Sequence, residues 1–136
     1  MTRINIAIPT KSLSDKHLLA EHREIVRIKH VINTKTPIPQ QFTMGEGHVL
    51  FFVNKIGYVY DRYKELYNEC LARGFDVTDM SSSFDGLDKT KNYTPTIGDK
   101  LKIKQRLIQK INEQSNHRYY SQPVTKEFLI NKLREK

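Results

Sequence analysis

Phe52, Ile56, Val59, Tyr63, Leu66 and Cys70 follow one another in alternating steps of four and three residues. That spacing matches the helical repeat of about 3.6 residues, so all six side chains fall on one face of an α-helix. A strand, whose faces alternate at every second residue, would scatter them. The pattern predicts a long helix from about Gly47 to Arg73 with a buried stripe. Gly74 follows as the residue best suited to cap its C-terminus.

The other elements are read in the same way. Residues 1–11 alternate loosely through Ile4, Ile6 and Ile8 before Pro9, which predicts an extended arm anchored on the core by its isoleucines. A helix is predicted from about Ser12, an N-cap type with Asp15 three residues on, to about Ile32. Its wheel places Leu18, Leu19, His22, Ile25, Val26 and Ile32 on one side. Lys16, Ala20, Arg23, Glu24 and Arg27 lie on the other, with His17 beside Glu24. Residues 33–47 and 75–97 read as large loops. A third helix covers about Asp99 to Gln114, with Leu101, Leu107, Ile108 and Ile111 on one face and Arg106 and Lys110 opposite. After the aromatic and basic run His117-Arg118-Tyr119-Tyr120 and Pro123, a short helix is predicted at about 125–135, with Phe128, Leu129 and Leu133 apolar. The expected fold is all-α: a single compact domain over residues 1–136, with three main helices, an extended N-terminal arm and large loops.

Charge narrows the function. Lys and Arg outnumber Asp and Glu by 23 to 15, a formal net charge of +8 on 136 residues. Such an excess suits a polyanionic partner, nucleic acid first, although a merely solvated basic surface has the same composition. One cysteine, Cys70, excludes an internal disulfide, and no Cys/His spacing suits zinc. The expectations are therefore no metal, no cofactor, no membrane span and a soluble monomer in the reducing cytoplasm.

Two residues stand out for chemistry. If Met1 is removed the chain begins at Thr2, whose α-amine titrates at about 7.7–8 against about 10.4 for lysine. A neighbouring cation such as Arg3 lowers it further, leaving a nucleophile able to form an imine. Glu24 is a carboxylate on an otherwise basic helix face, where it opposes DNA binding. It fits either a catalytic role, stabilising a cationic sugar-like transition state and moving a proton, or an ion pair with Arg27. Arg23, Arg27, Arg106 and Lys110 suit phosphate contacts. His17 suits a phosphate hydrogen bond, orientation of Glu24, or a helix-surface or capping role. Tyr119 and Tyr120 fit a stacking wedge or the packing of the last helix equally well.

These residues also carry a resemblance. Met1-Thr2-Arg3-Ile4-Asn5, then His17-Leu18, Ala20-Glu21-His22-Arg23-Glu24 and Arg27, resemble the phage pyrimidine-dimer DNA glycosylase/AP lyase family of endonuclease V type. Gly45-Glu46-Gly47-His48-Val49 with Phe51-Phe52, Glu69 to Phe75, and Arg106-Leu107 with Lys110-Ile111 extend it over most of residues 1–120. The resemblance implies a three-helix domain with the arm threaded between helices. It also implies a partner, double-stranded DNA containing pyrimidine dimers or abasic sites. The implied chemistry is attack of the Thr2 amine on the sugar C1′, an imine, and β-elimination that nicks the strand. Glu24 matches the essential carboxylate; Arg3, His17, Arg23 and Arg27 match residues around the lesion; Arg106 and Lys110 match phosphate contacts. The chain departs from the family in having no tryptophan near residue 120 and in the helix after Pro123. Two alternatives stand beside this reading: an AP lyase or glycosylase for other lesions, and a non-catalytic DNA-binding module.

Overall fold

The computed structural model describes residues 3–32 and 35–135. The described residues are mostly helical. The α-helices are α1 (Asp15–Glu24), α2 (Ile56–Ala72), α3 (Ile97–Glu113) and α4 (Lys126–Arg134). A small antiparallel hairpin, β1 (Arg118–Tyr119) and β2 (Gln122–Pro123), precedes α4 and qualifies the all-α expectation. Helix α1 packs on α2, and α4 on α3. One buried cluster runs from Ile4 on the arm to Leu133 on α4.

The stripe on α2 is buried as expected, from Phe52 through Cys70. The helix itself is shorter than predicted. Leu50–Phe52 form a 3-10 turn, and Lys55, at φ −135 and ψ 37, interrupts the path before Ile56. The Lys55 ammonium donates to the Phe51 carbonyl at 2.8 Å and lies over the Phe51 ring, which satisfies a backbone group at the break. At the other end the Gly74 N–H donates to Leu71 O and the Phe75 N–H to Cys70 O. With Gly74 at φ +81, this is a Schellman closure.

Gly57 lies on α2 where the loop at Lys89–Asn92 crosses. A Cβ there would come within 2.4 Å of Lys89 O and 2.6 Å of Lys91 O. Both are backbone atoms, so the loop must move. Gly57→Ala is expected to cost about 1–3 kcal/mol despite its better helix propensity. A urea midpoint that falls at constant slope measures it; an unchanged midpoint would show the loop to be freely displaceable.

Helix α1 starts later and ends earlier than predicted. Its N-cap is Ser14, whose side chain accepts from the His17 N–H, whereas Ser12 lies in a preceding 3-10 turn. Leu13 separates the two because it is extended and buried. After Glu24 the chain tightens to 3-10 turns over Ile25–His30, where β-branched Ile25, Val26 and Ile28 disfavour regular helix. Helix α3 begins at Ile97, with a capping box between Thr96 and Asp99. Its core face is Ile103, Leu107 and Ile111. Leu101, expected to be buried, is 51% exposed, because two residues before Ile103 lies about 200° around the helix.

The arm is anchored more deeply than an amphipathic strand would be. Ile4, Ile6 and Ile8 are all buried, and its backbone is held by side chains from elsewhere instead of by a neighbouring strand. The Ile4 N–H donates to His48 Nε2 at 2.9 Å, and the Ala7 N–H to Tyr58 Oη at 3.1 Å. Arg62 donates to the Ile8 carbonyl, Arg73 to that of Thr10, and Tyr119 to that of Lys11. Ala7 sits at φ +58, a left-handed conformation costing a residue with a Cβ roughly 1 kcal/mol or more. These contacts hold it there.

Candidate active site

A cleft of about 250 Å³ opens between the arm, α1 and α3. Arg3 and Asn5 reach it from the arm, Lys16, His17, Glu21 and Glu24 from α1, and Arg106 and Lys110 from α3. It adjoins a wider cavity of about 760 Å³ that shares Arg3, Arg106 and Lys110 and adds Lys102 and the Thr43–Gly45 loop. A separate cavity of about 400 Å³ near Ala7 and Tyr58 carries Asp61 and Glu65, the wrong charge to attract a polyanion.

Five of the eight residues expected at the site therefore share one cleft: Arg3, His17, Glu24, Arg106 and Lys110. Arg23 and Arg27 are outside its lining and exposed. Thr2 lies outside the described residues. Glu24 is the last residue of α1, where the helix dipole disfavours a carboxylate. It pairs with Arg27 at 3.0 Å, so the ion pair anticipated from the sequence exists. Glu24 nonetheless sits in the cleft among cations.

His17 makes no bond from Nε2, which is buried without a partner. Burial, then the charges of Arg106 and Lys16, push its pKa down to about 4. Its ring is therefore neutral at physiological pH. Burial, followed by the charge of Arg106, also lowers the pKa of Arg3.

Residues that the sequence did not single out organise the site. The Glu21 carboxylate accepts from the Asn5 N–H at 3.1 Å and the Asn5 Nδ2 at 2.9 Å. It also accepts from Arg62 Nε and Nη2, both at 2.9 Å. Glu21 sits one helical turn before Glu24, a spacing visible in the sequence, but nothing there pairs it with Arg62 forty-one residues on. Tyr119 and Tyr120 pack their rings on the Arg73 guanidinium, at 4.6 and 4.9 Å. Tyr119 also meets the Phe128 ring of α4 at 5.3 Å, whereas Tyr120 is 39% exposed.

His48 fixes the arm through a defined tautomer. Nε2 accepts from the Ile4 N–H, so Nδ1 carries the proton that is donated to Thr43 O at 2.8 Å. Burial, partly offset by the bond to Thr43, pushes its pKa down to about 4, against about 6.5 in an unfolded chain. Between those values the unfolded chain binds a proton that the folded chain refuses. Stability is therefore full above about 6.5 and falls as pH drops toward 4. Melting curves across this range should show the fall, and the difference between wild type and His48→Gln isolates the share due to His48. Identical pH dependence in the two would contradict the assignment.

No helix among the described residues is long and apolar enough to cross a membrane. A family model described as pyrimidine dimer DNA glycosylase matches residues 1–83. The match includes the arm, α1, the His48 segment and α2, and stops before the α3 wall of the cleft. It covers more than half of the chain, and with the cationic cleft around Glu24 it makes this chain a member of the pyrimidine dimer DNA glycosylase family.

Proposed function

We propose that this protein excises UV-induced cyclobutane pyrimidine dimers from double-stranded DNA and then nicks the strand as an AP lyase. The observation that carries the reading is the Glu24 carboxylate in a cleft that gathers Arg3, Lys16, Arg106 and Lys110, where the other lining carboxylate, Glu21, is already taken up by Arg62, and where Arg3 is the residue that follows Thr2. The α-amine of Thr2, exposed once Met1 is removed, attacks C1′ and the base departs with the glycosyl electrons. Loss of the amine proton and opening of the sugar yield an imine. Glu24 takes the C2′ proton, and the C3′–O bond breaks to release the phosphate end. Arg3, Lys16, Arg106 and Lys110 hold phosphates around the site, Arg23 and Arg27 contact the flanking backbone, and neutral His17 hydrogen-bonds within the cleft. Opening the duplex is cheapest at a damaged pair, which favours the lesion.

The test is a duplex with one thymine dimer beside undamaged and abasic duplexes. The expected result is a nick at the dimer and at the abasic site and none in undamaged DNA. Cleavage of the abasic duplex alone narrows the activity to an AP lyase, and binding without cleavage leaves a DNA-binding module. Affinity should also fall steeply with salt, and Arg106→Ala should reduce the slope of log K against log salt by about one. A flat salt dependence would remove the cleft from the interface.

A further inference from the structure

The arm and Glu24 are tied together by a buried cluster to which the reaction scheme gives no part. Each Glu21 oxygen accepts one bond from Asn5 and one from the Arg62 fork, which fills the acceptor sites of the carboxylate. The third arm of the fork, Arg62 Nη1, donates to the Ile8 carbonyl, so one ion pair grips the arm at two points three residues apart. The side chains of Glu21 and Arg62 are 1% and 4% exposed. Asn5 is as deeply buried, and its Oδ1 has no partner although the residue lines the cleft. A buried acceptor left open is uncommon in a region built for stability alone. Glu21 and Glu24 both lie on α1 and both reach the cleft, so one rigid helical turn sets the distance between the clamp and the carboxylate.

We propose that Asn5, Glu21 and Arg62 form a positioning clamp that holds the arm in register with Glu24, so that the leading amine is delivered to the sugar at reacting distance. This rests on the Thr2-amine reading above. A misplacement of about 1 Å at a reacting centre can cost about 10²-fold in rate without weakening binding.

The experiment compares wild type, Asn5→Ala, Glu21→Gln and Glu21→Asp, each verified to begin at Thr2. Affinity for an abasic-site duplex is measured without borohydride, and the borohydride-trapping rate is measured at saturating duplex. Melting temperatures are recorded alongside. Glu21→Asp keeps the charge opposite Arg62 but is one methylene too short to clamp Asn5. The expected result is an unchanged Kd, within about twofold, and trapping slowed by about 10²-fold in Glu21→Gln. Glu21→Asp should regain melting temperature but not rate, and Asn5→Ala should be slowed less. Wild-type rates in the variants overturn the clamp and leave the amine reading standing. Rate and melting temperature restored together by Glu21→Asp overturn it in favour of a purely structural ion pair. Failure of the wild-type protein itself to trap overturns the amine reading and the clamp with it.

Discussion

Glu24→Gln is expected to slow strand cleavage by about 10²–10⁴-fold, the range removed with a positioned general acid or base. Duplex affinity should hold or tighten, because the change removes the negative charge that sits among Arg3, Arg106 and Lys110. Glutamine is nearly isosteric, so the cleft keeps its shape. Magnitudes separate this from the alternative in which Glu24 serves only Arg27. That pair is an i,i+3 contact with a half-exposed arginine, and such pairs contribute about 0.5 kcal/mol or less. If the ion pair were the whole role, the variant would lose a few tenths of a kcal/mol in stability and cleave normally. A thousandfold loss corresponds to about 4 kcal/mol of transition-state stabilisation, far beyond a surface pair. Single-turnover cleavage measured beside binding by anisotropy decides between them, and cleavage retained at the wild-type rate would remove Glu24 from the chemistry.

Arg73→Ala is expected to be the most damaging single change to the fold. The Arg73 side chain is fully buried and bridges Asp15 and Glu69, both at 2.9 Å, and also reaches the Thr10 carbonyl. Removing it leaves two carboxylates buried without their cation, a change that costs about 3–5 kcal/mol. The Asp15 carboxylate also accepts from the backbone amides of Tyr120 and Ser121. Those residues form a two-residue turn with φ +51 and +65 and no glycine to ease it. Loss of Arg73 therefore loosens the hairpin as well. At roughly 3–5 °C per kcal/mol for a chain of this size, the melting temperature should fall by about 10–20 °C. Arg73→Lys keeps a charge but not the fork, and should recover only part of the loss. A drop of only a few degrees for Arg73→Ala would mean that water reaches and solvates the cluster.

The same residues explain what could and could not be read from the sequence. The α2 stripe, the Gly74 cap and the alternation of Ile4, Ile6 and Ile8 were legible because each is a local pattern with a single geometric meaning. Glu24 was legible as a carboxylate on a basic face. The charges in the interior were not: Glu21 meets Arg62 across 41 residues and Asp15 meets Arg73 across 58, and only Glu69 with Arg73 is a local i,i+4 pair. The same is true of the arm, whose amides are met by His48, Glu21 and Tyr58 from three different segments. The hairpin was missed because Tyr120-Ser121 carries none of the Asn-Gly chemistry that marks such turns. The break before Ile56 was missed because the spacing of Phe52 fits a continuous helix, and the interruption at Lys55 leaves Phe52 on the buried side.

The central claim, that the Thr2 α-amine carries the reaction with Glu24 as its carboxylate, is tested most directly by borohydride trapping on a duplex bearing one thymine dimer. The covalent product is digested and its attachment site mapped by mass spectrometry. The account predicts a crosslink at the α-amine of Thr2, formed on the dimer duplex and absent from undamaged DNA. A crosslink on a lysine side chain, or none from protein verified to begin at Thr2, would contradict it.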